Sequence, residues 1–388
     1  MAATVPPMAD SSRIAARARS IHDRLPVVDG HNDLPWAIRT RAGGSLVAAD
    51  PRRRLEGFHT DFPRLLAGGV GVQFWSVYVP AWSPGPRAAT HRQIDLVREM
   101  SALAPESTEM VDGAGRAEAI RDGGRVAGLL GVEGGHAIEN TVEAVAEFHA
   151  RGVRYMTLTH ADTIDWADSA TDAPRHGGLT AFGRAVVAEM NRVGMLVDVS
   201  HVSADTMRQA VEASRAPVIA SHSSAFAIAP HPRNVPDDVI EMIAGAGGVV
   251  MVTFVPAFLV PATATQSIGM FEEYRSLRAQ FDPDDEAGFA AAAKERFGSR
   301  EIDRGTVADV ADHIEHVAAV GGVAHVGIGS DFDGSDHTPV GLEDVSCYPS
   351  ITAELLERGW SVTDVLAVLG GNALRALRAA EDAAARAG

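Results

Sequence analysis

Six short apolar segments of this sequence are each followed by a histidine or a carboxylic acid. Segments of this length are typical of buried strands, and His, Asp and Glu are side chains that bind zinc and related metals. If the strands are parallel, their carboxyl ends meet at one edge, so the sequence predicts a metal site there. The segments are VVDGHND with His31 and Asp33, VAGLLGVEGG with Glu133, VRYMTLTH with His160, MLVDVSH with His201, PVIASHS with His222 and AHVGIGSDF with Asp331.

The spacing of the acidic residues suggests how two metals would be held. His31 and Asp33 are two residues apart, so in a strand both side chains point to the same side and reach one metal. Glu133 ends its segment, and its two oxygens can bridge two metals. The only lysine, Lys294, lies in a helix-like segment rather than at a strand end. We therefore expect a carboxylate bridge at Glu133 instead of a modified lysine.

His201 and His222 end consecutive predicted strands. A single histidine at a strand end is more often a hydrogen-bonded core residue, but two beside the other candidate ligands indicate metal binding. The serines next to them, such as Ser200 and Ser221, could orient the imidazoles. We expect His136, which lies close to Glu133, to be structural.

Three residues are candidates for catalysis and substrate binding. Asp331 comes directly after the eighth predicted strand and is the better candidate for a catalytic acid or base, whereas Asp333 could equally cap a turn with Gly334. His160 could be a ligand, an electrophile or a core histidine bonded to a backbone carbonyl. Arg233, in the segment HPRN, is either a bidentate partner for a substrate carboxylate or a surface residue of a proline-rich loop.

The elements that must position these residues alternate between strand-like and helix-like. The predicted strands are nearly continuously apolar, as expected where both faces of a sheet are buried. A doubly wound open sheet would gather ligands at only one or two switch points, so we predict an α/β fold with a (β/α)8 TIM barrel. The predicted strands are 26–31, 70–79, 126–133, 153–159, 195–200, 217–221, 248–255 and 325–330, with helices at 140–151, 180–193, 203–214 and 236–246.

The longest interruption, 257–305, lies between the seventh and eighth strands. Its helical pattern predicts an insertion over the top of the barrel. Residues 1–20 are predicted to be an N-terminal extension, either a polar helix or a loose tail. No linker or repeat divides the chain, so we predict that 1–388 forms a single hydrolase domain.

Composition excludes several functions. The net charge is −17, with no basic run longer than Arg52-Arg53-Arg54, so nucleic acid is not an expected partner. Cys347 is the only cysteine, which excludes an intrachain disulfide and a cysteine-based zinc site. We find no signal peptide, lipid-anchor signal or apolar run of ~18 residues. We therefore expect a cytoplasmic protein with no membrane partner.

Eight segments in order along nearly the whole chain resemble the membrane (renal) dipeptidase family of binuclear zinc peptidases. They are DGHNDLP, GVEGGHAIE, MTLTH, DVSH, ASHSSA, HPRN, GIGSDFDG and GLEDVSCYP. The resemblance implies a (β/α)8 barrel that cleaves dipeptides with a free C-terminal carboxylate. Many members accept a D-residue at the C-terminal position, and some open β-lactam rings. The family also suggests a non-covalent homodimer.

The resemblance also implies a role for each candidate residue. Two zinc ions per chain would be bridged by Glu133 and by a water or hydroxide, which attacks the scissile carbonyl. His160 and Arg233 would contact the substrate, with His160 stabilising the oxyanion, and Asp331 would transfer a proton. The implied ligands are His31 and Asp33 for one zinc ion, and His201 and His222 for the other.

The chain departs from the family in two respects. Animal members are secreted, disulfide-bonded and lipid-anchored, whereas this chain resembles a soluble, bacterial-type member. Some members carry a tyrosine after the seventh strand that helps bind the substrate carboxylate. Here the stretch is Thr253-Phe254-Val255, so binding would depend more on Arg233. Two alternatives stay open: another binuclear metal amidohydrolase, such as a deaminase or lactonase, and a non-catalytic zinc-binding protein, against which Asp331 argues.

Overall fold

A closed parallel barrel forms the centre of the protein. The computed structural model describes residues 8–23, 26–282, 285–298 and 300–387. Within these ranges nine parallel strands form one sheet in the order β2-β1-β9-β8-β7-β6-β5-β4-β3, and pairing of β2 with β4 closes eight of them into a barrel. The predicted TIM barrel is confirmed. The strands are β1 Val27–Asn32, β2 Val70–Tyr78, β3 Thr108–Met110, β4 Val126–Glu133, β5 Val153–Thr157, β6 Leu196–Asp198, β7 Val218–Ala220, β8 Val249–Val252 and β9 Val326–Ile328.

All eight predicted strands form the barrel, and the ninth, β3, was not predicted. Its three residues pair with the first three residues of β4, and β5 pairs with the second half of β4. β3 therefore lies outside the barrel, beside an end of β4 that β5 leaves free. Its sequence, Thr-Glu-Met, is too short and too polar to stand out as a strand.

The strands are apolar because both of their faces are covered. All eight residues of β4 are buried, as are all five of β5. One side packs against the helices, and the other fills the barrel with residues such as Phe74, Tyr155 and Ile219. A Cβ at Gly131 would overlap the ring of Tyr155, so this glycine makes room for a tyrosine inside the barrel.

Helices surround the barrel at the predicted places. The four predicted helices correspond to α6, α7, α8 and α9. The side chains of Thr180 and Ser203 cap α7 and α8 by accepting hydrogen bonds from the first turn. The α-helices of the described residues are α1 Met8–His22, α2 Leu34–Ala42, α3 Phe62–Ala67, α4 Pro86–Ala102, α5 Ala114–Asp122, α6 Glu143–Ala150, α7 Ala181–Val193, α8 Ala204–Ala213, α9 Asp237–Gly245, α10 Pro256–Leu259, α11 Pro261–Ser267, α12 Met270–Arg278, α13 Glu286–Phe297, α14 Val307–Gly321, α15 Tyr348–Glu357, α16 Val362–Leu366 and α17 Asn372–Ala387.

The insertion between β8 and β9 is helical, as predicted, and comprises α10 to α13. The rings of Tyr274 and Phe289 pack α12 against α13, with centroids 4.8 Å apart. Arg39 of α2 forms a bidentate ion pair with Glu286 of α13, with N–O distances of 2.8 and 3.2 Å. The insertion is thus tied to the helix that follows β1, next to the carboxyl end of the barrel.

The N-terminal extension is a helix from Met8 onward, and residues 1–7 lie outside the described residues. It is attached to the barrel through His22, whose ring lies 3.0 Å from the carbonyl oxygen of Gly68 and 2.7 Å from the hydroxyl of Thr352. In the part of the chain that the structure describes, no helix is both long and apolar enough to span a membrane. The single-domain organisation stays a prediction.

Candidate metal centre and active site

The predicted site residues all lie near the carboxyl end of the barrel, but most lie beyond the strands. Only His31 and Glu133 belong to strands, at the ends of β1 and β4. His201 and Asp331 lie in the loops after β6 and β9 with φ angles of 70° and 63°. This left-handed conformation cannot continue a strand, and β6 and β9 already end at Asp198 and Ile328, two residues before the predicted ends at 200 and 330.

Glu133 lies between two groups of imidazoles. Its Oε2 lies 3.5 Å from Nε2 of His31 and accepts a hydrogen bond from Ser76 Oγ at 3.0 Å. Its Oε1 lies 2.9 Å from Nε2 of His201 and 3.6 Å from Nε2 of both His222 and His160. Each oxygen of one buried carboxylate therefore faces a different set of nitrogen atoms.

The residues present fit a metal centre. His31 Nε2 and Asp33 Oδ1 are buried and have no hydrogen-bond partner among the described residues, and His31 Nε2 lies 3.4 Å from Asp33 Oδ2. His201 and His222 point their Nε2 atoms at each other at 2.8 Å. Buried polar atoms are normally satisfied, and converging imidazoles and carboxylates are zinc ligands. Burial also lowers the pKa of His201 and of His222 well below the usual range, which favours the neutral, metal-binding form.

The ligand atoms fall into three overlapping groups, each within 4.8 Å. The geometry alone does not separate His160 and Asp331 from the other candidate ligands, so the division of roles stays a prediction. The groups are His31, Glu133 and His222; Glu133, His160 and His201; and His31, Asp33 and Asp331.

Two of the histidines are oriented through their second ring nitrogen. His31 Nδ1 lies 2.8 Å from the hydroxyl of Tyr155, inside the barrel. His222 Nδ1 lies 2.8 Å from Ser221 Oγ, which donates to Asp198 Oδ2 at 2.5 Å. With Nδ1 engaged in this way, Nε2 is left to face the metal centre.

Sequence reasoning missed two buried carboxylates that hold the strand ends in place. Asp29 accepts hydrogen bonds from the backbone and hydroxyl of Ser330 at 2.8 and 2.7 Å and from Tyr348 at 2.6 Å. Asp198 accepts bonds from the backbone and hydroxyl of Ser221 at 2.8 and 2.5 Å. A signal was present, because each is an acid within an apolar strand, two or three residues before a candidate histidine.

Arg233 is completely buried and is not a surface residue. Its two Nη atoms donate to Ser223 Oγ and to the carbonyl oxygen of His222, each at 3.2 Å, and its guanidinium lies 5.0 Å from the ring centroid of Phe258. Its Nε has no hydrogen-bond partner, and no carboxylate among the described residues forms an ion pair with it. Burial lowers the pKa of Arg233 to about 10, and the charges of Asp331, Glu133 and Asp198 only partly offset this effect, so Arg233 is a cation whose desolvation is incompletely compensated.

His160 and Asp331 face the same centre from opposite sides. The His160 ring lies between the rings of Tyr78 and His201, at centroid distances of 4.4 and 4.3 Å. Its ring has no hydrogen bond to a backbone carbonyl within the described residues. Burial raises the pKa of Asp331 well above its usual range, and nearby carboxylates add to this effect.

Two further candidates have structural contacts. His136 Nε2 lies 2.7 Å from the carbonyl oxygen of Val79, and burial lowers the pKa of His136 to about 4. Asp333 accepts a hydrogen bond from the backbone of His59 at 2.8 Å and donates its own N–H to His59 Nδ1 at 3.1 Å. It ties the loop of Asp331 to the segment between α2 and α3.

The metal centre opens into a cavity of about 870 Å³. Its inner end contains Glu133, His160, His201, Arg233 and Asp331. In the stretch Thr253-Phe254-Val255, only Val255 lines the cavity, so this loop presents no hydroxyl to it. Aromatic residues form much of the wall: Trp36, Tyr78, Trp82, Phe258, Phe271 and Tyr274.

A barrel that gathers histidines and carboxylates into a cavity at its carboxyl end has the architecture of a metal-dependent hydrolase. The sequence model of the membrane dipeptidase family, peptidase family M19, matches residues 15–388. The chain therefore belongs to the membrane dipeptidase family, a family of metal-dependent peptidases.

Relatives support this assignment along most of their length. Dipeptidase aclJ of Aspergillus oryzae is 41% identical over 370 residues, covering 91% of this chain and 78% of the relative. Dipeptidase 3 of Rattus norvegicus is 38% identical over 376 residues, covering 95% of this chain and 68% of the relative. The crystal structure of dipeptidase AC, a metallopeptidase of family M19, matches with a TM-score of 0.74 and 25% identity, covering 92% of this chain and 98% of that one. The resemblance seen in the sequence motifs is confirmed.

Proposed function

We propose that this protein is a binuclear zinc dipeptidase that hydrolyses dipeptides with a free C-terminal carboxylate, including L-Xaa-D-Xaa dipeptides. The observation that carries the proposal is the position of Glu133, whose Oε2 faces the imidazole of His31 while its Oε1 faces those of His201, His222 and His160. A bridging carboxylate between two metals requires this arrangement.

The proposed division of the ligands between two zinc ions is the one that the family resemblance implies. His31 and Asp33 would hold one zinc ion on the side of Oε2, and His201 and His222 would hold the other on the side of Oε1. When bound, the two ions would polarise the scissile carbonyl and lower the pKa of a bound water. The imidazoles are fixed beforehand by contacts such as that of His31 with Tyr155.

Arg233 would bind the C-terminal carboxylate of the substrate. A carboxylate can form a bidentate ion pair with a guanidinium. Because Arg233 is buried without an ion-pair partner, such a pair would stabilise the bound substrate. A substrate with further residues on its C-terminal side would lack the charge at this point. This preference supports a dipeptidase over a deaminase or a lactonase.

His160 and Asp331 would carry out the steps at the scissile bond. His160 would donate a hydrogen bond to the developing oxyanion, since its ring lies beside the cluster and is not engaged by backbone. Asp331 would accept a proton from the attacking nucleophile and deliver it to the leaving amine. Asp331 lies in one group with His31 and Asp33, so its carboxylate can reach a molecule bound at the metal centre.

Hydrolysis of L,L- and L,D-dipeptides by zinc-loaded protein tests the proposal, with chelator-treated protein as the control. We expect cleavage only with metal, and none of the corresponding dipeptide amides. If protein that holds two metal ions cleaves no dipeptide, the function belongs to another amide, lactone or amine substrate. A cytoplasmic location and a non-covalent homodimer remain proposals from the sequence.

A further inference from the structure

One charged residue of the cavity wall has no role in the proposed reaction. Asp162 follows His160 by two residues in the loop after β5, and its half-buried side chain lines the cavity. Among the described residues, its carboxylate forms no hydrogen bond and no ion pair. Partial desolvation of a carboxylate that has no hydrogen-bond or ion-pair partner costs free energy. A cationic ligand in the cavity would offset this cost.

The backbone holds this loop in a fixed position. The carbonyl oxygen of His160 accepts a hydrogen bond from Ser169 Oγ at 2.7 Å, and that of Ala161 accepts one from Thr171 Oγ1 at 3.0 Å. The backbone N–H of Thr163 donates to Asp172 at 2.9 Å. The residues on both sides of Asp162 are therefore anchored, and its carboxylate is presented to the cavity by a rigid support.

The arginines of the insertion that line the cavity already have partners. Arg275 pairs with Asp172 at 3.5 Å, and Arg300 pairs with Glu273 at 2.7 Å. Arg278 donates to the carbonyl oxygens of residues 281 and 282 and stacks on Trp82, with its guanidinium 3.8 Å from the ring centroid. None of these cations forms an ion pair with Asp162.

Outside the metal cluster, two buried or half-buried charges of opposite sign are left for a ligand: Arg233 and Asp162. Both residues line the same cavity as His160, which Asp162 follows by two residues. A dipeptide is a zwitterion whose two charges flank the peptide bond. The cavity thus offers a charge of the required sign for each end of such a molecule.

We propose that Asp162 binds the α-ammonium group of the substrate and makes the enzyme specific for dipeptides with a free amino terminus. This inference rests on the proposed dipeptidase function. It implies that N-acylated dipeptides are poor substrates, since an acyl group removes the positive charge and leaves Asp162 desolvated and unpaired.

The test compares two substrates that differ only in this charge. In isobutyryl-alanine, a methyl group replaces the ammonium of Ala-Ala, and the shape and the scissile bond are kept. Zinc-loaded wild type and Asp162→Asn are assayed with both, after metal analysis shows equal zinc content. The control variant is Asp165→Asn, which removes an exposed carboxylate of the same loop that bonds Asn140 outside the cavity.

We expect Asp162→Asn to lower kcat/KM for Ala-Ala by about 10- to 100-fold, mainly through KM, the range for one lost hydrogen bond between charged groups. Its kcat/KM for isobutyryl-alanine should equal or exceed the wild-type value, because the variant has no unpaired charge to desolvate, and Asp165→Asn should match wild type on both substrates. An equal loss on both substrates, no loss on either, or a loss confined to dipeptides with a basic N-terminal side chain would each overturn the assignment. If wild type itself cleaves no dipeptide, the proposed function fails and this inference fails with it.

Discussion

Replacing Arg233 with methionine should remove the recognition of the substrate carboxylate without unfolding the protein. Methionine keeps much of the side-chain volume beside Phe258 and removes the charge. A bidentate pair between a guanidinium and a carboxylate comprises two charge-assisted hydrogen bonds, each of about 1.5–3 kcal/mol. Since 1.36 kcal/mol is a factor of ten, losing both should lower kcat/KM for a dipeptide by roughly 10²- to 10⁴-fold.

The stability of the same variant should change little. Arg233 is fully buried without an ion-pair partner, so removing it relieves a desolvation penalty, although it also removes the attraction between Arg233 and the nearby carboxylates. The loss of its two hydrogen bonds, to Ser223 and to the backbone of His222, acts in the opposite direction. We expect the free energy of unfolding to stay within about 1 kcal/mol of wild type, measured by urea denaturation of the zinc-loaded proteins.

Arg278→Met is the matched control, because Arg278 is also buried, lies in the same cavity and packs on an aromatic ring. Its guanidinium binds backbone carbonyls at the end of α12, so this variant should lose about 1–3 kcal/mol of stability and keep the preference for dipeptides over dipeptide amides. The reasoning is refuted if Arg233→Met still prefers the free carboxylate, or if it unfolds as readily as Arg278→Met.

Three other perturbations test different parts of the site. Glu133→Gln should lose both metal ions, because one neutral amide cannot bridge two cations, and metal analysis of the folded variant should find less than one zinc per chain. Tyr155→Phe should weaken zinc binding by about 10- to 100-fold in competition with a chromogenic chelator, since the hydroxyl orients His31; unchanged affinity would show that the hydroxyl is dispensable. Burial lowers the pKa of His231 to about 3, so its neutral form stabilises the fold above about pH 6.5 and this contribution falls as the pH drops toward 3. By about pH 5 the loss should be about 2 kcal/mol, and urea denaturation of His231→Gln should show a pH dependence smaller by that amount.

The barrel and the clustering of the candidate ligands at its carboxyl end could be predicted because both follow from strand periodicity. Parallel strands that are apolar on both faces need helices on the outside of the barrel. Their carboxyl ends lie on one face of the barrel regardless of the conformation of the loops. Glu133 and His222 lie 89 residues apart in the chain and 3.6 Å apart in the structure. The closure of the barrel explains this proximity, and the pattern of histidines and acids at the predicted strand ends indicated it.

Ser221, which lies 2.8 Å from His222 Nδ1, could be predicted because it precedes the histidine in the sequence, whereas the supporting residues that pair across strands could not. Asp29 binds Ser330 and Tyr348, which are about 300 residues away in the sequence. Tyr155 fits inside the barrel only because Gly131 on the neighbouring strand lacks a side chain. Such pairings depend on the register between strands, which a pattern along a single strand does not encode.

The candidate metal centre and the cavity wall are held in place by different parts of the fold. The residues proposed for catalysis are therefore supported separately from those proposed to select the substrate. The candidate metal centre is built on strand ends and the loops directly after them, where burial and hydrogen bonds to Asp29 and Asp198 leave little freedom. Much of the wall comes from the loop of Asp162 and from the insertion, which is anchored by contacts such as the Arg39–Glu286 ion pair rather than by the barrel ladder. Substitutions in the wall can therefore change which dipeptide is bound without moving the metal ligands. We accordingly expect Asp162→Asn and Arg39→Met to keep the zinc content of wild type, whereas substitutions of Asp29 or Asp198 should lower it.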